Sequence, residues 1–362
     1  MFAAMAKSRQ LHLPLPKNEP GSDAHSHFAV LDGWRALSIM FVLLGHLFPL
    51  GPSQLSLNVS IACSGMALFF TLSGFLITKT LLSNSNLYVF AVRRFFRIVP
   101  LAWAAMLVLL IANGSSFYVW MANLLFYANS VPNALIVNGG GHLWSLCVEM
   151  QIYVMLAILI AALPRIGVGA IPFICIAVTL WRISHHVYID MATWYRCDEI
   201  LAGGILALVY AKRYGDMTQR LLTWLNPLWL LPVLILSANP AAGALQYLRP
   251  YIAAAVVGST LYNPPIIFLR LSQHRFTIYL ATISYALYIL HGALMATWLS
   301  SGDTIVKYSK RPLFIAVTFL IAHLSTFKFE ARFIKYARRL TTNPAPNGNG
   351  LLAENTAVSR RL

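Results

Sequence analysis

Residues 31–46 read Leu-Asp-Gly-Trp-Arg-Ala-Leu-Ser-Ile-Met-Phe-Val-Leu-Leu-Gly-His, an apolar run that begins beside Asp32 and Arg35 and stops on His46. Ionisable side chains inside such a run are costly and mark functional positions by default. Arg35 and His46 are eleven residues apart, so a helix places both side chains on one face, roughly 16 Å apart along its axis. The rest of the chain is expected to supply partners around that face.

The composition excludes a soluble globule. Of the 362 residues, 58% are hydrophobic and only 10% are charged, with a mean hydropathy of +0.67; soluble domains carry about 25% charged residues. The predicted class is an all-α polytopic integral membrane protein. Ten apolar runs are read as transmembrane helices, near 33–50, 59–82, 98–113, 142–163, 166–183, 199–213, 222–238, 248–263, 276–300 and 312–334.

Long polar segments occur only at the two ends. Residues 1–28 are interpreted as a flexible cytoplasmic tail and not as a signal peptide, because they lack an uninterrupted apolar core. Residues 340–362 are rich in Asn, Gly and Pro and are predicted to be disordered. This division leaves 29–339 as a single membrane domain, in which the short apolar stretch 117–130 is predicted to be an interfacial helix.

The distribution of Lys and Arg predicts the orientation. With the N-terminus inside, twenty of the 27 Lys and Arg residues fall in inner segments, six fall in outer segments, and Arg35 lies within a span. An even number of spans then places both termini in the cytoplasm. The net charge of +16 is accordingly attributed to cytoplasmic loops, and no nucleic-acid partner is expected.

Four polar residues on one helical face open the fourth predicted span: His142, Ser145, Glu149 and Tyr153. A buried Glu149 needs a partner, and His46 is predicted at a similar depth. A Glu149–His46 pair would orient the imidazole as a general base requires. The alternative is a structural carboxylate bonded to Ser, Tyr or Arg. The other three residues of the face are candidate substrate contacts.

A basic cluster, Arg93, Arg94 and Arg97, lies at the inner side before the third span and alternates with aromatic residues. It is either a membrane anchor or a phosphate site, for lipid head groups or for a phosphorylated cofactor.

Further polar residues lie beside the sixth span and within the ninth. An Arg196–Asp198 pair either closes the outer mouth of the bundle or grips a polar substrate. Ser284, Tyr288 and His291 share one face in mid-membrane, and His291 is a further candidate substrate contact.

Small residues in the second span, Gly65, Ser73 and Gly74, are predicted to let neighbouring helices approach closely. The four cysteines show neither pairing nor metal-ligand spacing. They are interpreted as packing residues, and no metal site is predicted.

In their order these motifs resemble acyltransferase family 3, the multispan membrane acyltransferases that modify extracytoplasmic glycans. The resemblance rests on the opening stretch ending at His46, on Phe-Phe-x-Leu-Ser-Gly-Phe-Leu-Ile at 69–77, and on Arg-Arg-x-x-Arg-Ile-x-Pro at 93–100. It continues through His-Leu-Trp-Ser-Leu-x-Val-Glu at 142–149 and covers residues 30–335. No esterase-like segment follows the spans, so the membrane unit is expected to act alone.

The resemblance implies an O-acyltransferase of the bacterial cytoplasmic (inner) membrane. Its members take an acyl group, usually acetyl, from cytoplasmic acyl-CoA and give it to a hydroxyl of an extracytoplasmic polysaccharide or lipid-linked glycan. Acetyl-CoA is then a co-substrate, and no permanently bound cofactor is implied. The expected partners are membrane lipids, the glycan acceptor and acyl-CoA.

Within that resemblance, His46 acts as general base on the acceptor hydroxyl or carries the acyl group transiently. Glu149 would orient His46. Arg35 would hold the coenzyme or order the first span, and the 93–97 cluster would bind the coenzyme phosphates.

Two alternatives stay open from the residues alone. One is a transporter or flippase for an undecorated glycan precursor, which the lack of an evident internal repeat disfavours. The other is an acyltransferase that acts on a lipid or a small molecule. The sequence does not specify the acceptor sugar, the acyl chain length or the oligomeric state.

Overall fold

The computed structural model describes residues 29–83, 86–163, 166–262 and 264–342, and within these ranges it contains helices and turns but no strand. The predicted all-α class is confirmed. The tail predicted for residues 1–28, most of the tail predicted for 340–362, and Arg165 lie outside the described residues. The last helix ends at Thr342, so residues 340–342 belong to that helix and not to the predicted tail.

The α-helices of the described chain are numbered in order. They are α1 (Ala29–Leu47), α2 (Leu57–Ser83), α3 (Leu87–Ala112), α4 (Phe117–Leu124), α5 (Trp144–Ala162), α6 (Ile171–Ser184), α7 (Thr193–Arg196), α8 (Asp198–Tyr210), α9 (Asp216–Trp224), α10 (Pro227–Ser237), α11 (Arg249–Tyr262), α12 (Ile266–Gln273), α13 (Arg275–Met295), α14 (Thr304–Ser309), α15 (Arg311–Leu324) and α16 (Ala331–Thr342).

By length and composition, six helical segments of the described chain can cross a membrane: Ala29–Leu47, Ser53–Ser83, Leu87–Ala112, Gly141–Ala162, Arg275–Met295 and Arg311–Thr342. Two sharply bent pairs, α9 with α10 and Pro240–Tyr262 with α12, raise the number to eight if each pair forms one span. The chain is a multi-pass membrane protein. The predicted count of ten spans is not confirmed, since α6 and α8, where two were expected, have only 14 and 13 residues.

The central helix is α2. Its contacts with α8 and with α1 are the two most extensive contacts between helices in the described chain. Both contacts depend on glycine. A Cβ added at Gly65 would meet the backbone of Ser38 in α1 at 2.7 Å, and one at Gly74 would overlap the Ile200 carbonyl in α8. The close helix approach predicted for these two glycines is therefore confirmed.

Hydrogen bonds fix the rotation of α1 about its axis. The Ser38 hydroxyl donates to the Gly65 carbonyl at 2.7 Å, and the Asn58 amide donates to the Gly45 carbonyl at 2.7 Å. At the other end the Trp34 indole donates to the Thr260 hydroxyl of α11 at 2.8 Å. Because α1 also packs against α12 and α13, its remaining face is turned into the bundle, where the candidate site lies.

Candidate active site

A cavity of about 750 Å³, which includes the solvent at its open side, lies between α1, α2, α3, α5 and α13. Its α1 wall is formed by Arg35, Ser38, Ile39 and Val42, a stripe at helical spacing. The stripe continues to His46, one helical turn or about 6 Å beyond Val42. The prediction that Arg35 and His46 share one face is confirmed.

The cavity has one basic end. Arg35 lines it together with Arg94 and Arg97 of α3. Arg35 lies 3.6 Å from the carboxylate of Asp32 in the same helix, and Arg94 lies over the Tyr153 ring at 5.7 Å. Arg97 is exposed in the described structure. Three guanidinium groups at one mouth make a site suited to an anionic ligand.

The third predicted basic residue of the cluster, Arg93, does not line this cavity. Its Nε donates to the hydroxyl of Thr341 in α16 at 3.1 Å. Arg93 therefore ties α3 to α16, while Arg94 and Arg97 are the members of the cluster that face the cavity.

Glu149 is buried in the cavity wall, but its partner is not His46. Its carboxylate accepts hydrogen bonds from the hydroxyls of Ser73 and Tyr153, which lie 2.5 Å from each other. The predicted Glu149–His46 pair is wrong, because Glu149 lies about two turns, or 10 Å, further along α5 than the level of the histidines. The alternative interpretation, a carboxylate held by Ser and Tyr, describes the structure.

The partner of His46 is a second histidine. His46 Nδ1 lies 2.9 Å from Nε2 of His291 in α13. The ring of His142 packs against His291 with centroids 4.7 Å apart, and its Nε2 bonds to the Ile289 carbonyl at 3.2 Å. His291 is fully buried, whereas His46 is exposed. Three candidate residues from distant parts of the sequence are thus brought together as one histidine cluster.

An aromatic pair lies where the cavity adjoins the histidine cluster, because the Tyr288 ring packs against the rings of His142 and His291. The rings of Phe69 and Tyr288 stack with centroids 6.0 Å apart, and both line the cavity. The Tyr288 hydroxyl donates to the His142 carbonyl at 2.5 Å and lies 2.6 Å from the Ser145 hydroxyl. Ser145 and Tyr153 are predicted substrate contacts. Instead, the Ser145 hydroxyl bonds to Tyr288, and the Tyr153 hydroxyl bonds to Ser73 and Glu149.

Ion pairs of fully buried side chains connect α6, α7, α8 and α11. Arg182 pairs with Asp198 at 2.5 Å, and Glu199 pairs with Arg249 at 2.7 Å and with Arg196 at 3.5 Å. The predicted Arg196–Asp198 pair is not formed, because each residue finds a partner from another position. Because these charges are fully buried, the interpretation that they close the bundle is favoured, and the alternative that they bind a substrate is not.

Sequence reasoning missed Arg182 and Arg249 as partners in this network. Both belong to segments far along the chain from the acids they bind, Arg182 being sixteen residues from Asp198 and Arg249 fifty from Glu199. A single sequence holds no signal for such a pairing beyond the cost of leaving a buried charge alone.

Replacing Asp198 by asparagine is expected to lower the free energy of unfolding by about 3–5 kcal/mol, because the buried Arg182 guanidinium loses its counter-charge. Melting temperature after detergent extraction measures the loss. Asp216→Asn is the matched control, since Asp216 forms an ion pair with Lys212 in which both side chains are more than half exposed, and no measurable shift is expected there. Equal melting temperatures for the two variants would contradict the structural role.

Comparison with known proteins identifies the family. A family model described as an acyltransferase domain matches residues 28–327, which include every site residue described above. The chain is 24% identical over 333 residues to nodulation protein 10 of Rhizobium leguminosarum bv. viciae, and the alignment covers 79% of this chain and 87% of that protein. No solved structure gives a significant match. The chain therefore belongs to acyltransferase family 3, whose members transfer acyl groups.

Proposed function

We propose that the protein transfers an acyl group, most simply acetyl, from cytoplasmic acyl-CoA to a hydroxyl of an extracytoplasmic polysaccharide or lipid-linked glycan. One observation carries the proposal. A single cavity begins at three arginines and ends one helical turn short of an exposed histidine on the same stripe of α1. That arrangement suits a long donor with an anionic end and a reactive end.

The donor fits the basic end. Coenzyme A carries phosphate groups at one end and its thioester at the other, joined by a long neutral arm. Guanidinium groups hold phosphate through charge-assisted, often bidentate hydrogen bonds, and Arg94, Arg97 and Arg35 line the mouth where such groups would enter. The distribution of Lys and Arg along the chain predicts that this end faces the cytoplasm, and the cytoplasm is where acyl-CoA is found.

The reactive end of the donor has an apolar path towards His46. Val42, Met66, Phe69 and Tyr288 line the cavity beyond the arginines. A thioester arm laid along α1 would pass these side chains on its way to the histidine. The rough 16 Å from Arg35 to His46 along the helix axis is the distance the arm must bridge.

His46 serves as the general base in this proposal. Its Nε2 removes the proton from the acceptor hydroxyl while the acceptor oxygen bonds to the acyl carbon. The carbon–sulfur bond of the thioester breaks, and the coenzyme A thiolate receives the proton from His46. The exposure of His46 lets an acceptor approach from the side opposite to the arginines.

The alternative in which His46 carries the acyl group is separated by a trapping experiment. Protein is mixed with acetyl-CoA without acceptor, quenched and digested, and the peptide containing His46 is weighed by mass spectrometry. A general base leaves the peptide at its unmodified mass, whereas an acetylated peptide would replace the base by a covalent carrier.

Labelling tests the proposed function itself. Membrane vesicles that contain the protein are supplied with acetyl-CoA labelled in its acetyl group, and the label is followed into glycan, lipid and small-molecule fractions. Label in glycan is the expected result. Label confined to lipid or small molecules would overturn the acceptor, and folded protein that transfers no label would overturn the donor and favour transport.

Replacing Arg97 by alanine is expected to raise KM for acyl-CoA about tenfold or more, the value of one or two charge-assisted hydrogen bonds, with kcat nearly unchanged. The melting temperature is expected to stay the same because Arg97 is exposed. Arg93→Ala is the matched control, since Arg93 lies in the same cluster but outside the cavity. Equal KM values for the two variants would place the coenzyme phosphates elsewhere.

A further inference from the structure

We propose that His291 is a positioning residue that sets the tautomer and the orientation of His46, rather than a substrate contact. The inference rests on the proposed role of His46 as a base. Its evidence is the hydrogen-bond chain that runs from the backbone of α13 through the buried His291 ring to the exposed His46 ring.

The first link fixes the hydrogen on His291. Its Nδ1 lies 2.7 Å from the Tyr288 carbonyl and 3.2 Å from the Leu287 carbonyl. Carbonyl oxygens only accept, so Nδ1 must carry the hydrogen. All partners of this ring are neutral groups, which suits a neutral imidazole, and its Nε2 then has a free lone pair.

The second link fixes the hydrogen on His46. His291 Nε2, as an acceptor, faces His46 Nδ1 at 2.9 Å, so His46 Nδ1 must donate. In the neutral His46 ring the lone pair is then on Nε2, the atom not used in this hydrogen bond. A base needs that lone pair directed at the acceptor hydroxyl. Through two successive hydrogen bonds, the main chain of α13 thus determines which nitrogen of His46 reacts.

The third histidine of the cluster does not compete for this role. His142 packs its ring against His291, but its Nε2 is engaged by the Ile289 carbonyl, and it makes no hydrogen bond to His46 in the described structure. Gly292 permits this packing, because a Cβ there would overlap the His142 ring. His291 is the residue of the cluster that bonds to His46.

His291 has the same role here as the third residue of a catalytic triad, which holds a histidine base in the correct tautomer. Here the third group is a neutral histidine instead of a carboxylate. When His46 takes up a proton, its Nδ1–H bond to His291 becomes charge-assisted and therefore stronger. His291 thus favours the protonated form of His46 that the transfer step produces.

A matched pair of amide substitutions tests the inference. Asparagine at position 291 places its amide where Nδ1 stands, so His291→Asn keeps the bond to the α13 backbone and loses the acceptor for His46. His291→Gln reaches the position of Nε2 and keeps an acceptor for His46. We expect His291→Asn to lower kcat about 10- to 100-fold, His291→Gln to recover most of it, and KM for both substrates to stay unchanged in each variant.

Other outcomes identify what is wrong. Equal losses in the two variants would reduce His291 to packing, and a rise in the acceptor KM would return it to substrate binding. Extraction yield and melting temperature report folding, and His323→Asn, at an exposed histidine bonded to Tyr279, controls for the substitution type. If His46→Ala abolishes transfer while His291→Asn matches the wild type, only this inference fails. If His46→Ala is fully active, the proposed role of His46 as base fails, and this inference fails with it, whereas acyl transfer itself stands.

Discussion

Replacing His46 by alanine is expected to reduce kcat about 100- to 10,000-fold, the range that a positioned general base contributes. The protein should still insert and fold, because the His46 side chain is exposed and its only hydrogen bond in the described structure is to His291. The expected result is therefore an inactive enzyme at normal level.

The measurement is acetyl transfer from labelled acetyl-CoA in vesicles, normalised to the amount of protein in the membrane. His323→Ala serves as the control, because His323 is also an exposed histidine but lies on α15 beside Tyr279. Activity of His46→Ala within about twofold of the control would remove His46 from the mechanism, since a base contributes far more than that.

Replacing Gly74 by alanine is expected to destabilise the protein by about 3 kcal/mol or more, at the upper end of what overpacking costs. The added Cβ would overlap the Ile200 carbonyl oxygen, which belongs to the backbone of α8 and cannot rotate away. The helices α2 and α8 would have to separate along their contact. Because α8 also carries Asp198 and Glu199, the buried ion pairs at its start would be disturbed together with the packing.

Yield after detergent extraction and melting temperature measure this loss. Gly169→Ala is the matched control, because a Cβ at Gly169 meets no atom within 4 Å. A Gly74→Ala protein as stable as Gly169→Ala would show that α2 and α8 do not approach as closely as described.

The sequence alone predicts the parts of the site that depend on one helix. The stripe from Arg35 to His46 follows from 3.6 residues per turn, and its part from Arg35 to Val42 is the α1 wall of the cavity. The close helix contacts at Gly65 and Gly74 are likewise predictable, since small residues in a span indicate such contacts.

Pairing between distant helices is where sequence reasoning fails. Matching Glu149 to His46 by their depth in the membrane fails, because depth along two helices counted from predicted span ends carries an error of a turn or more. The 3₁₀ turn Gly141–Leu143 before α5 leaves His142, not Glu149, at the level of His46. The correct partner, His291, lies 245 residues from His46, and nothing in a single sequence joins the two.

The predicted count of ten spans is not confirmed, for a related reason. Hydropathy records that a run is apolar but not that it bends, and α9 and α10 meet at an angle of 86°. The sequence does predict a helix start at Asn226 and Pro227, and the Asn226 side chain caps α10 there. These two residues do not reveal whether the two pieces cross a membrane together.

The division of the cavity into a basic and an apolar end has an electrical consequence for the proposed reaction. In that reaction the coenzyme phosphates would remain with Arg94 and Arg97, and the part of the donor that extends past Phe69 would be uncharged. In each turnover an acyl group would move outward onto the acceptor oxygen, and the proton of that hydroxyl would move inward to the coenzyme A thiol. This exchange is electroneutral, so it requires no work against the membrane potential. Moving one elementary charge across 100 mV would cost about 2.3 kcal/mol. The thioester alone supplies the driving force.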